Sequence, residues 1–250
     1  MKKINNNYQS MMKAIFLLLM LIPFVSISQS KNVISTTREF PKVEKQLEFE
    51  KALATHAQKY HTGDVKWRVF DIVSGPDAGG YHIVEGPKTW DSEDTRGTLG
   101  VEHTNDWSKS VAIYLTDRHS SGYSVYIDSL STVAIGDYSD KVQVTHITPK
   151  LGCSYRVATM LKSMKAAWIA DGSTVTVYES NGSGTAQFAI ARRYKQGLKE
   201  KEVGFRKSFV DTYEKIHGAG SWGIFNDNVK EYYDSIWSEL LFYRADLSSK

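Results

Sequence analysis

Apolar positions along this chain follow two rhythms, helical and alternating, and their order is stated twice, over residues 36–130 and again over 142–247. In the first pass Phe49, Leu53, Ala57 and Tyr60 step by 4, 4 and 3, which puts them on one face of a helix. In the second, Val157, Leu161, Met164 and Trp168 step by 4, 3 and 4. Each stretch then meets Gly63-Asp64 or Asp171-Gly172, where glycine allows the left-handed conformation that ends a helix.

A hairpin follows each helix. Residues 65–73 turn through 74–80 into 81–85, and residues 174–180 turn through 181–184 into 186–194; both turns are rich in Gly, Asn, Asp and Ser. Asn181-Gly182-Ser183 also spells a glycosylation acceptor, but a tight turn is sufficient reason for it. A second helical region is expected from Asn105, with Trp107, Val111 and Tyr114 two, six and nine positions on. Its counterpart starts from Asp227, with Val229, Tyr233 and Ile236 at the same offsets. Asn and Asp are favoured helix N-caps. Strands 33–39 and 142–148 open the two passes and strands 123–128 and 239–244 close them. The second pass adds a helix through Phe205, Phe209, Tyr213 and Ile216.

Strand, helix, strand, strand, helix, strand is the split βαβ order, a four-stranded antiparallel sheet with helices on one face. The other face needs cover, and a second copy supplies it. The prediction is an α+β protein of two tandem ferredoxin-like βαββαβ units, residues 29–135 and 136–250, packed sheet to sheet as a pseudo-dimeric barrel. In this repeat the chain resembles the dimeric α+β barrel superfamily with both halves fused. Trp67-Arg68-Val69-Phe70, the run 79–87 and Lys88-Thr89-Trp90 are similar to exported bacterial members of that class with no assigned activity. The second pass departs from the pattern, with Ala191-Arg192-Arg193-Tyr194 where the first has Glu85-Gly86-Pro87-Lys88.

Residues 1–13 carry Lys2, Lys3 and Lys13 without an acid, and residues 14–27 are apolar apart from Ser26. That is the layout of a cleavable secretory leader over residues 1–28, too short in its apolar part to span a bilayer. A periplasmic or secreted protein is expected, with no transmembrane segment after cleavage. Losing three lysines takes the formal charge from +3 to zero. A balanced chain without a Lys/Arg cluster lacks the footprint of a nucleic-acid binder. Cys153 is the only cysteine, so no internal disulfide framework exists, and its place before a helix reads as a small packed residue.

No motif calls for a metal or a cofactor. There is no zinc-type Cys/His spacing or phosphate-cradling glycine loop, and His56 and His61, five apart, fall on different faces of a helix. Ala219-Gly220-Ser221-Trp222-Gly223 approaches a nucleophile elbow, with His217 near, but a predicted helix precedes it where that chemistry needs a strand. If the space between the sheets is a cavity, Arg68, His82, Tyr178 and Arg192 are its candidate polar lining, with Trp67 and Phe188 as apolar wall. Glu85, Trp90 and His103 are placed on a loop able to reach a ligand.

Three functions follow. The first is binding of a small apolar ligand between the sheets. The second is interaction with an envelope protein through outward residues such as Tyr232 and Trp237. The third is implied by the superfamily resemblance: a cofactor-independent oxygenase, or a haem-handling protein whose axial ligand would be His82 or His146.

Overall fold

The computed structural model describes residues 30–250 of the chain; the leader expected over residues 1–28 lies outside them. Lys31–Lys250 form one unit. No helix among the described residues is long and apolar enough to cross a membrane.

Eight strands form a closed, wholly antiparallel barrel with helices outside it. They are β1 Val33–Pro41, β2 Trp67–Ser74, β3 Tyr81–Lys88, β4 Leu115–Tyr126, β5 Lys141–Pro149, β6 Val175–Ser180, β7 Phe188–Arg193 and β8 Tyr233–Tyr243. Around the barrel the order is β1-β3-β2-β8-β5-β7-β6-β4, returning to β1. The run β4-β1-β3-β2 and the run β8-β5-β7-β6 repeat one pattern four strands apart. They meet through β2 on β8, with Phe70 opposite Tyr243, and β4 on β6, with Val125 opposite Glu179. The sheets therefore join edge to edge as well as facing each other, and closure leaves no unpaired edge.

The predicted amphipathic helices form. Helix α1, Gln46–Tyr60, buries Phe49 and Leu53 against Val69, Tyr81 and Ile83 on the outer face of the sheet. Two short helices, α2 Trp90–Arg96 and α3 Val101–Asp106, precede the closing strand. Helix α4, Ser154–Ala170, lays Val157, Leu161 and Trp168 over Ile147, Val175, Val177 and Phe188. Helices α5, Phe209–His217, and α6, Ser221–Tyr232, extend that cluster through Tyr213 and Phe225.

Several boundaries differ from expectation. The stretch expected as loop holds α2, whose start is fixed by reciprocal bonds between Thr89 and Ser92. Phe205 lies before α5, where Ser208 caps the helix by accepting from the Asp211 amide. Tyr233 and Ile236, expected on a helix, begin β8; Ile236 is exposed, so its helical spacing carried no packing.

Candidate functional site

Alternation along a strand sends every second side chain into the barrel. The inward positions of β7 are Ala189, Ala191 and Arg193, and those of β4 are Ser120, Gly122 and Ser124. Apart from Arg193, these residues are too small to meet in the middle, and the barrel encloses a cavity of about 500 Å³. That lies within the usual range for small-ligand sites. Ile34, Phe70, Val84, Val142, Val144 and Leu241 form its apolar wall.

Polar groups gather at two levels. At the first, Glu239 of β8 has a fully buried carboxylate gripped by Arg38 of β1, with Nη1 donating to Oε2 at 2.8 Å and Nη2 to Oε1 at 2.5 Å. Arg38 also donates to Asp77 at 2.6 Å. His146 Nε2 lies 2.8 Å from Glu239 Oε1, its Nδ1 is 3.3 Å from Gln187 Oε1, and its ring stacks on Trp237 at 4.0 Å. Burial alone would raise the Glu239 pKa, but the bonds from His146 and Arg38 hold it down at about 2. Gly75 lets the β8 backbone at Glu239 come close: it sits at φ +99°, and a Cβ there would lie 3.0 Å from both Glu239 Cβ and the Ser238 carbonyl oxygen.

His82 faces the same space from β3. Its Nδ1 is buried without a hydrogen-bond partner, and burial, followed by the nearby Arg38 charge, pushes its pKa down to about 3. This imidazole is neutral at physiological pH.

The second level lies four residues along β5, about 13 Å at strand spacing, where Val142 pairs with Arg193. Arg193 is only 5% exposed, and its hydrogen-bond acceptors are neutral: the Tyr178 hydroxyl at 3.1 Å and the carbonyls of Ala134 and Ile135. The Arg68 guanidinium lies 3.2 Å over the Tyr138 ring, with Arg193 5.6 Å from the same ring. Neither arginine pairs with a carboxylate among the described residues.

Of the residues proposed from sequence, Arg68, His82 and Tyr178 line the cavity together. Trp67, Phe188 and Arg192 sit on the opposite phase of their strands. Phe188 is buried under α4, Arg192 donates to Ser173 at 2.7 Å, and Trp67 faces the helical layer. The lumen instead receives Arg193, Arg38 and Glu239, none of which was singled out by sequence. Trp237 is stacked on His146, and Tyr232 is half-buried against the helical core, so neither is a free surface anchor. Ser221 opens α6 directly after a helix and a left-handed Gly220, without the preceding strand of a nucleophile elbow.

Trp67 leads to a second polar centre, outside the sheet. Its indole donates to Glu85 at 2.8 Å, and Glu85 also accepts from Lys88 at 2.8 Å and Arg96 at 2.8 Å. Bonds from His61, Arg96 and Lys88 hold the Glu85 carboxyl well below its ordinary range despite burial. Glu85, Trp90 and His103 are thus on β3, α2 and α3, not on a loop. His61 stacks on Trp67 at 3.4 Å and meets His56 and His103. The expectation that His56 and His61 lie apart assumed one continuous helix; α1 ends at Tyr60, and His61 leaves it with φ −100° and ψ 79°. No linear spacing signals His103.

No family model matches the chain, and no curated protein is similar to it in sequence. Solved structures are similar in fold. An anthrone oxidase-like protein superposes with a TM-score of 0.57 at 10% identity, over 86% of this chain and 92% of its own. A chlorite dismutase variant from Candidatus Nitrospira defluvii gives 0.52 at 9% identity, over 88% and 94%. With eight antiparallel strands closed into a barrel and helices packed outside it, this chain has the dimeric α+β barrel fold.

Proposed function

We propose that this protein binds a small, mainly apolar molecule carrying an anionic group inside the barrel. The observation that carries the reading is Arg193: a guanidinium taken out of water with only neutral acceptors, at the end of an apolar cavity. A buried charge without a counter-ion is unfavourable, and a carboxylate or similar group from a ligand supplies one. Arg68 adds a second cation on the same side, whereas Arg38 is already neutralised by Glu239 and Asp77. The leader-like residues 1–28 support an exported, periplasmic or secreted site of action. The repeated strand order supports two fused ferredoxin-like units, 29–135 and 136–250, whose different inward residues make the two ends of the lumen unlike.

Titration with anilinonaphthalene sulfonate, an apolar aromatic anion, tests the reading. The parent should bind it saturably, and Arg193→Met should weaken binding about tenfold or more while leaving a cooperative melt, since a charge-assisted contact is lost. Equal affinity in parent and variant would contradict it.

A haem-handling reading has one observation in its favour. His146 has both ring nitrogens engaged, whereas His82 lines the lumen with neither ring nitrogen hydrogen-bonded and is the residue that could ligate iron. Haem bound there would supply redox chemistry, with Arg68 and Arg193 as partners for its carboxylates. Addition of micromolar haem should then shift the Soret band in the parent and not in His82→Phe; an unshifted spectrum removes this reading.

A further inference from the structure

The three histidines outside the sheet remain unused by a ligand in the lumen. His56 lies on α1, His61 just beyond its end and His103 on α3. His56 and His61 are fully buried, and His103 is half-buried. Each offers one ring nitrogen, and these atoms lie within 4.8 Å of one another.

Hydrogen bonds fix which nitrogens are free. His61 Nδ1 is 3.2 Å from the Val65 carbonyl, which can only accept, so Nδ1 carries the proton and Nε2 presents a lone pair. His56 Nδ1 is 2.7 Å from an Asp106 carboxylate oxygen, so the same reasoning leaves a lone pair on Nε2. That Nε2 is buried without a partner. His103 Nε2 stands 3.3 Å from His61 Nε2, close to the separation of about 3.3 Å between nitrogens sharing a tetrahedral ion at zinc–nitrogen bond lengths. With all three nitrogens within 4.8 Å of one another, the third has at most about 1.5 Å to close to reach that separation.

We propose that His56, His61 and His103 form a binding site for a divalent transition-metal ion of the zinc type. Imidazole nitrogen is the donor such ions favour, and three histidines leave a fourth position open. The outer partners are those that metal-bound histidines use: Asp106 on His56, and the Val65 carbonyl with Glu85, 3.3 Å away, on His61. Trp67 and Trp107 wall the cluster with aromatic surface that excludes water. An ion here would tie the end of α1 to α3. It would lie across the sheet from the lumen, because Trp67 and Arg68 point to opposite sides of β2. A simple aromatic packing role explains the ring contacts but leaves His56 Nε2 buried without a partner.

The test uses the chain without a polyhistidine tag, stripped by chelator and titrated with Zn(II) by calorimetry and with Co(II) by visible absorption. One equivalent should bind, with the intense visible bands of a low-coordinate cobalt–nitrogen centre and a rise in Tm. His103→Ala, a change at the least buried ligand, should abolish the cobalt bands and the rise in Tm. Asp106→Asn, which keeps all three ligands, should weaken zinc by about 10- to 100-fold. A folded parent that takes up neither ion overturns the proposal, as does uptake unchanged in His103→Ala. If His103→Ala fails to melt cooperatively, His103→Gln replaces it: lost cobalt bands support the site, and unchanged uptake overturns it.

Discussion

A single imidazole sets much of the acid response expected of this protein. His82 faces Arg38, Glu239 and His146, and it titrates at about 3 in the fold against 6.5 ordinarily. Between those values the unfolded chain holds a proton that the folded chain does not, so stability falls as pH falls below 6.5. Glu239, held at about 2 against 4.5, works in the same direction lower down, its contribution being lost as pH drops below 4.5. From about pH 7 to pH 5, His82→Gln should therefore lose about 2 kcal/mol less stability than the parent, read from urea midpoints at each pH. Equal losses would show that His82 titrates in the fold as it does in the unfolded chain. At this scale the sequence was only partly legible. Arg192 and Arg193 are adjacent, and the choice between them is one of strand phase. The apolar neighbours do not decide it, because β7 is covered on its outer face by α4 and lines a cavity on its inner one.

Among the elements, the join between β3 and α2 depends on charge as well as on apolar packing. Lys88, 2% exposed, bridges Glu85 and Glu93 and also donates to Ser35. Lys88→Ala leaves two carboxylates without that cation and should cost about 3–5 kcal/mol in chemical denaturation. Removing Lys31, whose pair with Asp64 is exposed, should cost less than about 1 kcal/mol. A loss below about 1 kcal/mol for Lys88→Ala would show that Arg96 alone suffices to hold Glu85. Elements with a deep apolar stripe were readable: α1 and α4 form where Phe49, Leu53, Val157 and Leu161 require burial. Helix α2 was hidden because it buries no residue and is defined by its Thr89–Ser92 capping. The start of β8 was hidden by a register shift at Thr148/Pro149, which breaks the alternation that would have announced a strand.

For the molecule as a whole, the internal repeat predicted two like sheets needing mutual cover, and the closed barrel provides it through the β2–β8 and β4–β6 seams. From the sequence an open space between the sheets is only a condition, which the element pattern does not decide. Hollowness depends on Ala189, Ala191 and the serines of β4 falling on the inward phase together, a coincidence across strands distant in the chain. Ala191→Trp projects an indole into that space and should displace any occupant while the apolar wall accommodates the added volume. Native mass spectrometry of the parent and Ala191→Trp, purified gently from the same host cells, tests a ligand site in the barrel most directly. A non-covalent anionic adduct is expected on the parent and not on the variant. An adduct retained equally by both, or a parent that carries none and takes up no anilinonaphthalene sulfonate, would contradict a ligand site in the barrel.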